Sequence, residues 1–177
     1  NYTFMKKIII NIGRQLGSGG RSIAALLAKH YNITAYDRKL IELAAKESGL
    51  SAEFFENADE KKSHGFFHSI FSNRSAANAL THSDSYLSND TLFKVQSDII
   101  RDLAERESCI FIGRCADYIL RDNPHCINLF FTANLEDRVA RMASEKGITA
   151  EEAAELIEKT DRRRSAYYNY YSGKTWG

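Results

Sequence analysis

Gly17, Gly19 and Gly20, followed at once by Arg21 and Ser22, are the residues of this chain best suited to chemistry. Glycines so spaced let the backbone curl until successive N–H groups point at one anion. They sit between an apolar run, Ile8–Ile12, and a helical pattern that opens at Ser22. A strand feeding such a loop at a helix N-terminus is a ready phosphate cradle. Gly17, Ser18, Gly19, Gly20, Arg21 and Ser22 are therefore candidate ATP-binding residues, with Arg21 supplying charge and the Ser22 hydroxyl a ligand for Mg2+. The usual loop, G-x-x-x-x-G-K-[ST], wants glycine at 15 and lysine at 21, where this chain has Gln15 and Arg21. Arginine keeps the charge but offers a planar fork in place of a point charge. A dinucleotide fingerprint with Asp37 downstream competes, but Gly13-Arg-Gln-Leu16 separates strand from glycines, a spacing that suits the phosphate loop better. A plain turn is the third alternative, and Ser22 would then be a helix N-cap.

Phosphoryl transfer is mostly positioning and charge stabilisation, so further arginines matter. Arg114 ends an apolar run, where a cation is costly unless an anion or carboxylate meets it. Asp117 can orient it. Asp161-Arg-Arg-Arg164 supplies cations on a late helix. Each helical step turns about 100°, so at most two of these arginines reach one site and the others are solvated charges. Asp37 can hold a substrate hydroxyl or amine, or bind magnesium through water; alternatively it caps the next helix. His64, His68 and His82 lack tight ligand spacing and fit a solvated stretch better than a metal site. Tyr167 and Tyr168 can flank a base or serve only in packing.

Strands are expected at Lys7–Ile12, Ile33–Tyr36, Cys109–Ile112 and Ile127–Phe131. Helices are expected at Ser22–Tyr31, with Ile23, Leu26, Leu27 and His30 on one side, and at Lys39–Ser48, Asp90–Glu107, Ala116–Arg121 and Leu135–Lys146. Two more helices start at the N-caps Ser51 and Thr149. Residues 59–88, rich in serine and weakly periodic, read as a flexible insert. Asn1–Phe4, ahead of Met5, are left out of the fold. Alternation of strand and helix predicts βαβ units, right-handed crossovers and a mainly parallel sheet. Ligands then gather at the carboxyl ends of the strands, where the 13–22 loop, Asp37-Arg38 and Gly113-Arg114 all fall.

With 177 residues, 44% hydrophobic and 27% charged, the chain has the length and composition of one globular domain. A net charge of +1 points to neither nucleic acid nor a membrane surface. Cys109, Cys115 and Cys126 lack metal-ligand spacing, and Cys109 and Cys126 look like small core residues. The absence of a signal-peptide pattern makes the reducing cytoplasm the expected compartment. Oligomeric state is not legible.

Four segments together resemble the cytidylate kinase-like family, a branch of the P-loop nucleoside monophosphate kinases. They are Gly17-Ser-Gly-Gly-Arg-Ser22, Ala35-Tyr-Asp-Arg-Lys-Leu-Ile41, Ile112-Gly-Arg-Cys-Ala-Asp-Tyr-Ile-Leu120, and Asp161 through Trp176. The resemblance implies a three-layer α/β/α P-loop kinase fold over residues 5–177, with a helical monophosphate-binding insert at about 50–95 and a lid at about 147–175. It implies magnesium-dependent transfer of the ATP γ-phosphate to a nucleoside monophosphate, CMP or dCMP. Arg21 and Ser22 take the places of the phosphate-binding lysine and hydroxyl. Asp37, Arg38 and Arg114, with Asp117, fall near the monophosphate. Arg162 and Arg164 match the lid arginines and, with Arg21, are the expected catalytic set. A fifth strand usually follows the lid; either it lies beyond Gly177, where the sequence given ends, or it is absent, in which case one sheet edge would be open or covered by a partner. Arg21 in place of lysine leaves two alternatives: a non-catalytic nucleotide-binding module, and a kinase for another small acceptor such as a nucleoside or sugar.

Overall fold

The computed structural model describes residues 7–38, 41 and 89–177. The helices expected at Lys39–Ser48 and from Ser51, and the 59–88 insert, lie outside the described residues. Two compact units divide the chain, one of Asn1–Leu40 with Ile100–Gly177 and one of Ile41–Ile99.

The first unit holds a four-stranded, fully parallel sheet in the order β2-β3-β1-β4. Its strands are β1 (Ile9–Arg14), β2 (Thr34–Tyr36), β3 (Cys109–Ile112) and β4 (Cys126–Phe131). β1 lies inside the sheet because Ile9, Ile10 and Ile12 leave neither of its faces fit for water; all three are buried. In register, Ile10 faces Ile110 and Ile127, and Ile12 faces Ile112 and Leu129. Buried Asn11 interrupts the apolar run, and its Nδ2 donates to Oδ1 of its cross-strand partner Asn128 at 2.8 Å. Among the described residues β4 is an edge strand, with Ile127 46% and Leu129 38% exposed.

Helix α1 (Gly20–Tyr31) covers the face formed by Ile10, Ile12, Ile110 and Ile112. It starts two residues before the expected Ser22. Its buried side is Gly20 and Ala24, with Leu27 and Ala28 packed against the core. Leu26, expected on that side, is 67% exposed, and His30 is exposed too. Positions 20, 24, 27 and 28 share one helical stripe, and 26 and 30 fall outside it.

Helix α2 (Asn89–Arg106) spans the division between the units. In the second unit, Ser97 and Ile99 are buried, and Ser97 Oγ donates to the Phe93 carbonyl at 2.7 Å. In the first, Ile100, Leu103 and Ala104 are buried and lead into β3. Short helix α3 (Ala116–Ile119) ends before the expected Arg121. Helices α4 (Leu135–Lys146) and α5 (Ala150–Ser172) pack together around Met142, Ala153 and Ile157. Thr149 caps α5 as expected: its Oγ1 accepts from the Glu152 N–H at 3.2 Å, and Glu152 Oε2 accepts from the Thr149 N–H at 2.9 Å. Of the thiols, Cys109 and Cys115 are buried, whereas Cys126, expected in the core, is only half-buried because it begins the edge strand.

Candidate functional site

The loop from Gln15 to Gly19 is a tight turn. The Gln15 N–H donates to the Phe131 carbonyl at 3.0 Å, and Ser18 Oγ donates to the Gln15 carbonyl at 2.8 Å. Gly17 and Gly19 have φ of 79° and 83°, a left-handed region that costs an ordinary residue about 1–2 kcal/mol. Both glycines are also closed in. A Cβ at Gly17 would meet the Arg138 carbonyl oxygen, and one at Gly19 would meet the Arg141 guanidinium. Gly19 is the N-cap of α1, with no side-chain cap and no acidic residue in the first turn. The free N–H groups and positive dipole end of α1 therefore favour an anion from outside the helix.

Cations collect around this loop. Arg14, at the carboxyl end of β1, runs past Gly20, and its guanidinium lies against Gly113. Burial first, then the charges of Arg164, Arg114 and Arg21, push that guanidinium down to about 10, with Asp37 opposing the shift. Arg164 Nη1 donates to the Arg14 carbonyl at 3.2 Å. Its own guanidinium is also lowered, chiefly by burial, with Arg163 and Arg138 adding to the effect and Asp161 opposing it. Arg14, Arg21, Arg114 and Arg164 come from four separate segments, and the arrangement can neutralise a phosphate group carrying more than one negative charge. A family model, that of the cytidylate kinase-like family, matches residues 9–177, the whole span from β1 through α5. The chain belongs to that family.

Family membership brings with it kinase-type, nucleotide-binding phosphoryl transfer as the class of activity. Among solved structures, an uncharacterized protein from Eubacterium ventriosum is 29% identical with a TM-score of 0.70, over 97% of this chain and 81% of that one. A shikimate kinase from Bacteroides thetaiotaomicron is 13% identical with a TM-score of 0.48, over 92% and 82%. No curated protein matches the chain.

Within this cytidylate kinase-like chain, Arg164 turns inward among the expected site residues, and Arg21 and Arg162 are exposed. Arg21 and Asp37 are ion-paired at 2.9 Å, with the Arg21 side chain 78% exposed. Ser22 is exposed in the first turn of α1; the cap is Gly19, one helical turn earlier than the serine would supply. Arg38 follows Asp37 at the end of β2 and is half-buried. Arg114 lies 5.5 Å from the centre of the Tyr167 ring. Asp117 accepts from Tyr168 OH at 2.7 Å, so its carboxylate ties the β3–α3 turn to α5, where the sequence suggested that it steers Arg114. Burial and that carboxylate raise the Tyr168 phenol far above its ordinary range. Of the arginine triplet, Arg164 turns inward, while Arg162 is 78% exposed and paired with Glu158 at 2.7 Å along its own helix.

Gly113, Arg114 and Cys115 follow one another with φ of 78°, 62° and 56°. Two non-glycine residues in that region are strained, and such strain concentrates where a side chain must be aimed. The Cys115 thiol beside them is pushed up to about 12 by burial first and Asp117 second, so it is a packing group and not a nucleophile.

Sequence reasoning missed Arg14, Arg138 and Arg141. The argument made for Arg114, a cation at the end of a buried strand, applies equally to Arg14 and would have found it. Arg138 and Arg141 carry no local signal. They read as ordinary charges of an amphipathic helix until α4 is laid beside the loop.

Proposed function

We propose that this protein transfers the γ-phosphoryl group of Mg-ATP to a nucleoside monophosphate, with CMP or dCMP as the acceptor. The observation that most supports this reading is the convergence of Arg14, Arg21, Arg114 and Arg164 on a glycine loop at an uncapped helix N-terminus. On this reading the N–H groups of Gly17–Ser22 cradle the ATP phosphates. Arg14 and Arg164 stabilise the charge that spreads over the transferred group. Asp37, Arg38 and Arg114, with Asp117 as a support, hold the acceptor. The lid is assigned to residues at about 147–175; the monophosphate-binding insert, assigned to about 50–95, lies mostly outside the described residues. The setting is a reducing cytoplasm, and the ligands are small nucleotides.

Among the described residues no helix is long and apolar enough to cross a membrane, and no group of three or more His, Cys, Asp and Glu could hold a metal. Magnesium bound together with substrate phosphates needs only one or two protein oxygens. The exposed Ser22 hydroxyl, with Asp37 paired to its neighbour Arg21, fits that donor set. Ser22 would hold the ion, which would supply charge neutralisation for the phosphates.

One observation favours a second reading. Arg21 is mostly exposed and held by Asp37, which suits a nucleotide-binding module that does not turn over. Purified protein given Mg-ATP and a panel of nucleoside monophosphates, nucleosides and sugars separates the readings. Transfer to CMP or dCMP above the other acceptors is expected. No transfer to any monophosphate would overturn the kinase assignment, and calorimetric ATP binding without turnover would establish the module.

A further inference from the structure

The backbone of Leu16 is gripped at both its N–H and its carbonyl by side chains of two different helices. Its N–H donates to Asp161 Oδ1 on α5 at 2.8 Å. Its carbonyl accepts from Arg138 Nε on α4 at 2.7 Å. The same two side chains are ion-paired through Arg138 Nη2 and Asp161 Oδ2. They are 7% and 15% exposed, so this is a nearly sealed pair and not a surface contact. The neighbouring loop residues are held from the same side. Gly17 packs on the Arg138 backbone, Gly19 abuts Arg141, and Arg164, 3.7 Å from Asp161, donates to the Arg14 carbonyl. Sealing an ion pair costs several kcal/mol in desolvation, in general about what the attraction returns. The place where this pair is applied gives it meaning. It grips neither a strand nor a helix but the residue that enters two left-handed glycines, in a loop that ends on an uncapped helix.

We propose that Arg138 and Asp161 are positioning residues whose ion pair fixes Leu16, so that the loop is already curled for a phosphate before one arrives. The phosphate half of this proposal rests on the nucleotide reading above. The pair also makes the seating of α4–α5 and the anion affinity of the loop one coupled quantity. By reciprocity, whatever tightens one tightens the other.

Arg138→Lys is the informative substitution. A lysine keeps the charge and can pair with Asp161, but one ammonium cannot also reproduce the fixed fork that reaches the Leu16 carbonyl. Amide hydrogen exchange without nucleotide should find Leu16 protected in the unsubstituted protein. Exchange at residues 16–19 should rise at least tenfold in Arg138→Lys, while β3 amides stay unchanged. Mg-ATP should bind about tenfold more weakly to the variant. The protection that Mg-ATP brings to α4 and α5 in the unsubstituted protein should be lost, a coupling that a simple brace of the fold would leave intact. Asp161→Asn, which keeps an acceptor for the Leu16 N–H, replaces Arg138→Lys if the latter does not fold. An unprotected Leu16 amide in the unsubstituted protein, or exchange within twofold in the variant, would overturn the proposal. Failure of the unsubstituted protein to bind Mg-ATP would overturn the nucleotide reading and the phosphate half of this one, and the exchange measurement would still decide whether the pair fixes the loop.

Discussion

Replacing Arg14 with methionine should make the protein more stable and less active at once. Methionine keeps the unbranched stem and removes the charge. In the folded protein the Arg14 guanidinium falls from its ordinary value to about 10, mainly through burial and then through Arg164, Arg114 and Arg21. At 1.36 kcal/mol per unit, that shift corresponds to an upper bound of about 3 kcal/mol held against the fold at pH 7. Screening at a half-buried group reduces this to about 1–2 kcal/mol. For a chain of this size, that is a rise of roughly 2–8 °C in melting temperature. If Arg14 stabilises the transferred phosphoryl group, losing it should lower kcat by roughly 10²–10³, the scale for removing one preorganised donor. Thermal melts at pH 7 and initial rates with Mg-ATP and CMP measure the two effects. A variant that melts lower with an unchanged rate would refute the reasoning, since Arg14 would then be a structural cation and not a strained functional one.

Three further outcomes are expected. Arg162→Ala should leave the transfer rate within twofold, because that side chain is exposed and paired along its own helix, whereas Arg164→Ala should lower it roughly a hundredfold by removing one inward charge; steady-state kinetics on the pair compares them. Stability should fall as pH rises from about 9 towards 12. Cys109 and Cys115 are pushed from 9 up to about 12, and Tyr36 from 10 up to about 12, each chiefly by burial. A group whose folded value is raised stabilises fully below its unfolded value and loses that contribution as pH climbs through the gap. Arg14 and Arg164, both lowered chiefly by burial, work the other way, so denaturant midpoints should decline less steeply in the unsubstituted protein than in Arg14→Met. Leu26→Ser should change stability by no more than about 0.5 kcal/mol, whereas Ile10→Ala should cost about 2–5 kcal/mol by opening a core cavity; urea unfolding of both tests whether Leu26 of α1 faces solvent while Ile10 of β1 sits in the core.

The parallel sheet was legible because its strands are short β-branched runs bounded by turn residues, and a run such as Ile8–Ile12 has no other economical place than a sheet interior. The glycine loop was legible for a related reason: few arrangements need three glycines in four positions between a strand and a helix. The face of α1 was misread because Leu26 is apolar yet lies off the stripe that Gly20 and Ala24 set. Small residues mark the close-packed side of that helix, and hydrophobicity alone ranks them too low. The hydrogen bond between Tyr168 and Asp117 was not legible because the hydroxyl donor is fifty-one positions away. No local pattern encodes such a pairing. The clamp on Leu16 is more distant still, since Arg138 and Asp161 act on it across two helix interfaces.

Those long-range contacts bear on the substitution that made the loop look irregular. A lysine at position 21 would ordinarily reach back over the loop as a point charge. Arg21 instead reaches sideways to Asp37 at the end of β2. The loop is not left without cations, because Arg14 is turned under it from β1, Arg141 lies against its second left-handed glycine from α4, and Arg164 closes on it from α5. Charge that a standard loop carries within its own sequence is here delivered by three other elements. Its curvature likewise depends on a pair of side chains from α4 and α5 and not on glycine at position 15, where the chain has Gln15. On the proposed reading, this arrangement makes phosphate affinity depend on α4 and α5 being seated. A nucleotide would then meet a complete site only when the α4–α5 hairpin is in place.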